Sequence, residues 1–162
     1  MASKLFGREP EAAPLTLACD SVSLRTEQRL QFVDVTELVA ERVRRSGVRE
    51  GQVLVQTLHT TTAVVVNENE PLLLGDVRRL LERLAPGGAR YAHDDLDRRR
   101  HAAPDEPLNG DAHCRALLLG ASQSLVVADE RLRLGRWQRI FLVELDGPRA
   151  RTLLIQVMGA RR

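Results

Sequence analysis

Apolar residues recur at helical spacing in three stretches of the chain. In the first stretch, Val35, Val39 and Val43 fall on one face, and Gly47 supplies a C-terminal stop. Similar apolar faces follow twice, and they end at proline and glycine residues that cannot continue a helix. The pattern predicts helices over residues 34–47, 73–84 and 109–120.

Short segments rich in β-branched and apolar residues lie between these helices, as is typical of buried strands. They predict one or two strands over residues 15–32 and single strands over 52–58, 62–66, 124–128, 131–134, 138–145 and 151–158. The strands come in neighbouring pairs with helices between the groups, which favours an α+β fold over a doubly wound parallel sheet. We therefore expect a compact mixed β-sheet sandwich with about seven strands and three helices.

Length and composition limit the possible functions. The chain of 162 residues has the size of one domain, which we place at residues 1–162, with 1–14 as a mobile N-terminal extension. No apolar run approaches the ~20 residues that cross a bilayer, and the first residues lack the apolar stretch of a signal peptide. A net charge of +2 gives no support to nucleic-acid binding. These features predict a cytoplasmic protein that binds neither membrane nor nucleic acid.

Polar residues gather after two of the predicted strands. His59, Thr60 and Thr61 follow the first strand, and Asn67 and Glu68 follow the second. If the two strands form a hairpin, Glu68 returns to the neighbourhood of His59. Taken alone, the first group is better interpreted as a structural strand end, and a solvated turn is the alternative interpretation of the second.

Two further groups lie in and after a charged stretch over residues 91–107, which has no periodicity. Loops of that length inside compact domains are often functional. His93 and Asp94 have a composition suited to a divalent metal, although a plain charged loop is the alternative. Asn109 is placed as the cap of the third helix, whose free N–H groups favour an anion beside His113.

These motifs occur together and in order in a known family. The matching segments are His59-Thr60-Thr61, Asn67-Glu68-Asn69-Glu70, Asp76, His93-Asp94, Asn109-Gly110-Asp111-Ala112-His113, Leu119-Gly120, Leu134-Gly135-Arg136-Trp137-Gln138, Glu144 and Asp146-Gly147-Pro148-Arg149. The chain thereby resembles the YjbQ family, also described as secondary thiamine-phosphate synthase, from about residue 32 to 159. It departs from the family at Asp129-Glu130, where an Asp-Gly turn is usual.

The resemblance implies a compact α+β fold, a homotrimer and a pocket near the subunit boundary. It also implies a weak thiamine-phosphate synthase activity, which joins an aminopyrimidine methyl diphosphate to a thiazole phosphate and releases diphosphate. The main alternative is a trimeric metal- or phosphometabolite-binding protein whose synthase activity is incidental. A structural oligomer without a ligand is a third interpretation, which the many polar motif residues make the weakest.

Charge guides the assignment of roles within this resemblance. A departing diphosphate needs cations or N–H donors, and carboxylates favour positive charge on the pyrimidine methylene. The catalytic candidates are His59, Glu68, His113 and Glu144. The substrate-binding candidates are Thr60, Thr61, Asn67, Asn109, Gly110, Trp137 and Gln138. The candidate ligands for a divalent metal, Mg²⁺ or Zn²⁺, are His59, His93, Asp94 and His113.

Overall fold

A computed structural model describes residues 14–100, 103 and 105–161. The predicted mobile extension, residues 1–14, lies outside these residues except for Pro14. Three α-helices occur in the described part of the chain: α1 (Thr36–Ser46), α2 (Pro71–Leu84) and α3 (Gly110–Leu119). Two 3₁₀ turns cover Ala92–Asp94 and Leu96–Arg98. The strands are β1 (Leu15–Arg25), β2 (Gln31–Asp34), β3 (Glu50–Thr57), β4 (Thr62–Glu68), β5 (Ser122–Ala128), β6 (Arg131–Leu132), β7 (Gln138–Glu144) and β8 (Ala150–Ala160).

The strands form two sheets. The large sheet has the order β1-β8-β3-β5-β6, and the small sheet has the order β2-β7-β4. These two sheets and three helices confirm the predicted α+β class. The sheets are not mixed as expected, because every strand pairing among the described residues is antiparallel.

The small sheet is buried on both faces. Along β7, Ile140 and Leu142 join a core shared with the large sheet, whereas Phe141 and Val143 join a second core under α2 and α3. Successive side chains of a strand point to opposite faces, so a strand between two cores needs apolar residues at every position. This explains the continuous apolar run that predicted β7.

Helix ends follow the local sequence. Helix α1 ends at Gly47, whose φ of 67° lies in the left-handed region that glycine adopts without strain. Helix α2 begins two residues before the predicted start, because the Glu70 carboxylate accepts hydrogen bonds from the N–H groups of Leu72 and Leu73. Pro71 then occupies the first helical position, where its missing N–H costs nothing.

Two connections differ in kind from simple loops. The segment over residues 15–32 forms two strands that lie in different sheets, and Leu30 between them adopts a φ of 54°. Asp129 and Glu130 join β5 to β6 with φ values of 52° and 63°, as a type I′ hairpin turn requires at both central positions. The family's usual glycine is thus replaced without loss of the turn. No helix among the described residues is long and apolar enough to cross a membrane.

Candidate functional site

His59 lies directly after β3, and its ring is held against the start of β8. The Nε2 atom of His59 accepts a hydrogen bond of 2.7 Å from the backbone N–H of Thr152. A ring nitrogen that accepts a hydrogen bond carries no proton, so the neutral ring has its proton on Nδ1. The fold therefore sets both the orientation and the tautomer of His59.

His59 and His113 line the same cavity, of about 280 Å³, although one follows a strand and the other lies in α3. Thr60 and Thr62 add hydroxyl groups to the lining. The remaining wall is formed by Ala116, Leu117, Gly120 and Ala121. Two imidazoles and two hydroxyls in an otherwise apolar wall form the arrangement that is common in small-molecule sites.

The ring of His113 also contacts His93, with ring centroids 4.5 Å apart. Burial lowers the pKa of His113, and the positive charges that His93 and Arg99 can carry lower it further, against the opposing effect of Asp146. The Nε2 atom of His93 is buried and has no hydrogen-bond partner among the described residues. The structure thus places His93 next to His113, although His93 does not line the cavity.

The first turn of α3 differs from the prediction. The N–H of Gly110 donates to the Asp94 carboxylate at 2.9 Å, so a carboxylate of the preceding loop already occupies the amide that was expected to meet an external anion. A Cβ at position 110 would lie 2.4 Å from the Tyr91 Cβ, which explains the glycine. Asp94 therefore ties the 3₁₀ turn over Ala92–Asp94 to the start of α3.

Asn109 is not the side-chain cap that was predicted. Its Nδ2 group donates to the Asp146 carboxylate at 2.8 Å, and it makes no capping hydrogen bond. Its Oδ1 atom is buried and has no partner in the described part of the chain. Buried acceptors of this kind cost free energy unless a ligand or water satisfies them.

Asp146 belongs to one of the motifs of the chain, but the sequence indicated no role for its side chain. Its buried carboxylate binds Asn109 and also forms an ion pair of 2.9 Å with Arg149. It raises the pKa of His113, against the larger effect of burial. Gly147 and Pro148 follow it and are typical of a turn. The sequence therefore indicated a structural turn and not a carboxylate that binds Asn109 and Arg149.

Glu144 lies beneath the site with its carboxylate fully bound. Two nitrogens of Arg151 donate to it at 2.5 and 2.6 Å, and the hydroxyl of Thr26 donates at 2.8 Å. The N–H groups of Asp146 and Gly147 complete its shell. Burial alone would raise the pKa of Glu144, but the hydrogen bonds from Arg151, Asp146 and Thr26 lower it. This arrangement favours an anchoring role for Glu144.

Arg151 connects Glu144 to Thr61, in the segment that also contains His59. Its guanidinium also donates to Thr61 Oγ1 at 3.3 Å, so the hydroxyl of that buried threonine is already engaged. Burial lowers the pKa of His59, and the positive charges of Arg151 and Arg149 lower it further, although Glu144 opposes them. Each of these arginines is itself paired with a carboxylate, Arg151 with Glu144 and Arg149 with Asp146.

The remaining predicted residues lie at the other end of the small sheet. The expected hairpin is wrong, because β3 belongs to the large sheet and β4 to the small sheet. Thr62 pairs with Glu144 near His59, whereas Glu68 pairs with Gln138 at the opposite end of the same strands, about 20 Å away. Asn67 and the exposed Trp137 lie beside that second pair.

Comparison with known proteins finds relatives of similar sequence and fold. The profile of the family described as UPF0047 protein YjbQ-like matches residues 20–160. A UPF0047 protein of Archaeoglobus fulgidus is 43% identical over 137 residues, which cover 85% of this chain and 98% of that protein. A UPF0047 protein of Methanothermobacter thermautotrophicus is 40% identical over 136 residues, which cover 84% of this chain and 88% of that protein.

Solved structures agree with this result. The crystal structure of a YbjQ-like protein of unknown function from Sulfolobus solfataricus P2 matches with a TM-score of 0.82 and 31% identity, over 90% of this chain and 99% of that one. A hypothetical protein from Aeropyrum pernix K1 matches with a TM-score of 0.78 and 37% identity, over 88% and 98%.

The buried Glu144–Arg151 pair predicts a large effect on stability. We expect Glu144→Gln and Arg151→Met each to lower the free energy of unfolding by about 3–5 kcal/mol, because each leaves one buried charge without its partner. The double variant should lose less than the sum of the two. Urea denaturation measures all three. The exposed pair Asp76–Arg79 is the control, and Asp76→Asn should cost less than about 1 kcal/mol. Equal losses for Asp76→Asn and Glu144→Gln would contradict the anchoring role.

Proposed function

The chain belongs to the YjbQ-like UPF0047 family, and from this premise we propose that it is a small cytoplasmic enzyme of the secondary thiamine-phosphate synthase type. In the proposed reaction, the ring nitrogen of a thiazole phosphate attacks the methylene carbon of an aminopyrimidine methyl diphosphate. A C–N bond forms, the C–O bond to diphosphate breaks, and diphosphate leaves with the electron pair. Both substrates are phosphorylated, so the site must above all stabilise anionic oxygens.

The observation that supports this proposal is the cavity that His59 and His113 share. The two imidazoles and the Thr60 hydroxyl can donate hydrogen bonds to the oxygens of a departing diphosphate. With its proton on Nδ1, His59 is a hydrogen-bond donor for a phosphate oxygen. Thr60 offers a second hydroxyl donor, because its side chain is exposed at the same cavity.

His113 serves the same cavity from the opposite side. Burial and the neighbouring His93 favour its neutral form, in which one ring nitrogen donates a hydrogen bond and the other accepts one. We assign to Asp146 and Asn109 the positioning of His113 and of the adjoining loop. Glu144 is assigned to hold this arrangement in place rather than to touch substrate.

We also propose that the protein acts as a homotrimer. Four of the predicted site residues lie about 20 Å from His59 within one chain, which is too far for a role in its cavity: Asn67, Glu68, Trp137 and Gln138. A neighbouring subunit can bring its own copies of these residues to the cavity, as a pocket at a subunit boundary requires. In that arrangement Glu68 supplies the carboxylate that favours positive charge on the pyrimidine methylene.

A different function is favoured by the size of the cavity. About 280 Å³ is at the lower limit of small-molecule pockets, so one chain alone offers room for a single small phosphorylated compound. A protein that binds one phosphometabolite, with synthase activity as a side reaction, fits this volume. Turnover with both substrates distinguishes the enzyme from the binding protein.

A divalent metal is a further proposal, centred on His93 and His113. The buried, unpartnered Nε2 of His93 and the adjacent His113 ring fit a pair of imidazole ligands, which suit Zn²⁺ better than Mg²⁺. Asp94 fits less well, because Gly110 already binds it. Among the described residues, no group of three His, Cys, Asp or Glu side chains is arranged around one point. A bound divalent ion would neutralise charge on diphosphate oxygens.

We expect the purified protein to bind about one Zn²⁺ per chain, and His93→Ala to weaken that binding at least tenfold. Removing one of two protein ligands leaves a single imidazole, which holds zinc poorly. Isothermal titration with zinc chloride measures the affinity. Thr60→Ala, which removes a cavity hydroxyl but no proposed ligand, is the control. Equal zinc affinity in the wild-type and His93→Ala proteins would contradict this ligand assignment.

The shared cavity predicts that substitutions of His59 and His113 have non-additive effects on kcat/KM. We expect His59→Ala and His113→Ala each to lower kcat/KM for thiamine-phosphate formation about 100-fold, and the double variant to lose clearly less than the product of the two factors. Residues that act on one substrate as a unit are not additive. Steady-state kinetics with the pyrimidine diphosphate and thiazole phosphate measure this.

Gln28→Ala, a substitution in the exposed turn before β2, should leave kcat/KM unchanged. Strict additivity of the histidine losses would argue against one shared site. A wild-type protein that melts at higher temperature with inorganic phosphate, yet gives no turnover, would support the binding protein and refute the synthase.

The lowered histidine pKa values predict the pH profile. We expect kcat/KM to stay constant as the pH falls from 8 and to decline with a midpoint below the ordinary histidine value of 6.5, since burial and the nearby arginines favour the neutral rings. Arg149→Met removes one positive charge near His59, so the midpoint should move upward toward 6.5. The control is Arg44→Met on the exposed side of α1, which should not move it. A midpoint above 6.5 in the wild-type protein would be inconsistent with neutral catalytic imidazoles.

A further inference from the structure

Helix α3 carries two buried charges on the side that faces away from the histidine cavity. The exposed fractions of Arg115 and Asp111 are 1% and 2%. Arg115 is the largest fully buried side chain in the described part of the chain. Neither residue lines the cavity, and the proposed reaction gives neither of them a role.

The guanidinium of Arg115 joins α3 to the end of α2. Its Nε and Nη2 atoms donate to the carbonyl oxygen of Ala85 at 2.9 and 2.7 Å, and Nη2 also donates to Glu82 Oε2 at 2.5 Å. Ala85 directly follows the last residue of α2, where carbonyl groups lack partners within the helix and carry a partial negative charge. A side chain of α3 therefore satisfies the end of α2.

Asp111 binds the same guanidinium from one turn earlier in α3. Its Oδ2 atom lies 3.3 Å from Arg115 Nη1, and both of its oxygens accept hydrogen bonds of 2.6 Å from Arg29 Nη2. Arg29 lies between β1 and β2, so the network ties α3 to a second segment. With Glu82, the network has two positive and two negative charges, and each buried charge has a partner.

Apolar packing alone gives α3 little resistance to rotation about its axis. The apolar residues that α3 buries are Ala112 and Ala116, and Leu119 is only partly buried. A methyl group makes few contacts, so a helix that rests on alanines loses little when it turns. Hydrogen bonds weaken steeply when their angles change. The network of Arg115 and Asp111 is therefore the stronger directional constraint.

The rotation of α3 determines where the His113 ring lies. Residues two positions apart in a helix lie about 200° apart around its axis, so His113 faces away from both Asp111 and Arg115. At about 5–6 Å from the axis, a rotation of about 20° moves the ring by about 2 Å. A misplacement of about 1 Å is enough to lower a reaction rate about 100-fold.

We propose that Arg115 and Asp111 are positioning residues, which fix the rotation of α3 and thereby hold the His113 ring at the cavity beside His93. The effect on turnover rests on the proposed function, whereas the position of the ring is measurable without it. A buried ion network is often no more stabilising than apolar residues of the same volume. A directional role therefore explains these charges better than stability does.

The test uses Arg115→Lys in the full-length protein, because lysine keeps the charge but lacks the planar fork that reaches three acceptors at once. The rings of His93 and His113, with centroids 4.5 Å apart, should give a nuclear Overhauser effect in the wild-type protein. Its intensity falls with the sixth power of distance, so a displacement of about 2 Å should weaken it about tenfold. The control is Leu81→Ala, which opens a cavity in the core under α2 and α3 but leaves the network intact. It should keep the effect.

Far-ultraviolet circular dichroism checks that Arg115→Lys is folded. If it is not, Arg29→Gln loosens the same network from its half-exposed end and should weaken the same Overhauser effect. A folded variant at either position that keeps the wild-type contact between the rings overturns the proposal. An equal loss in Leu81→Ala also overturns it, since any destabilisation of the core would then move the ring.

Kinetics provide a second measurement. Arg115→Lys should lower kcat/KM for thiamine-phosphate formation about tenfold, less than His113→Ala, because the imidazole is displaced and not removed. Adding Arg115→Lys to His113→Ala should cause no further loss, because Arg115 acts through His113. A further tenfold loss in the double variant would overturn the positioning role. A wild-type protein without turnover would refute the synthase, and the contact between the rings would still decide whether Arg115 positions His113.

Discussion

The buried ion pair between Glu144 and Arg151 is the constraint on which the site depends. Glu144 ends a strand of the small sheet and Arg151 begins a strand of the large one, so the pair joins the two sheets at one end. The same carboxylate binds the Thr26 hydroxyl, and the same guanidinium reaches Thr61. Removing either charge would leave the other buried without a partner, which is strongly destabilising, so the two residues depend on each other. The backbone beside His59 is fixed as a consequence.

Local interactions explain which parts of the fold were predictable. The spacing of Val39 and Val43 and the stop at Gly47 lie within a few residues of each other, and helix α1 was predicted nearly to its ends. The start of α2 was missed because capping by Glu70 precedes the apolar face. The division of residues 15–32 between two sheets depends on partners more than 100 residues away, in β8 and β7. The pattern of apolar and polar residues within 15–32 does not indicate which sheet each strand joins.

The same distinction applies to the site. The ordered motifs predicted that His59 and His113 lie close together, and both line one cavity in the structure. Glu68 was expected beside His59, but β4 is extended from Thr62 at the cavity to Glu68, and six residues of strand place that carboxylate about 20 Å away. The side-chain cap expected of Asn109 does not form, and Asp94 of the preceding 3₁₀ turn accepts a hydrogen bond from the N–H of Gly110 instead. Strand length and contacts between separate segments thus account for these differences.

The two imidazoles of the cavity have different electrostatic surroundings. His59 is fixed by the N–H of Thr152, and burial together with the charges of Arg151 and Arg149 lowers its pKa against the opposing effect of Glu144. His113 is buried beside a second imidazole, and both effects lower its pKa against the opposing carboxylate of Asp146. Both rings are therefore favoured in the neutral form, in which one nitrogen donates a hydrogen bond and the other accepts one. Because Nε2 of His59 already accepts from Thr152, its Nδ1–H is the group that remains for an oxygen of a ligand, so the fold itself decides which atom of this ring can bind.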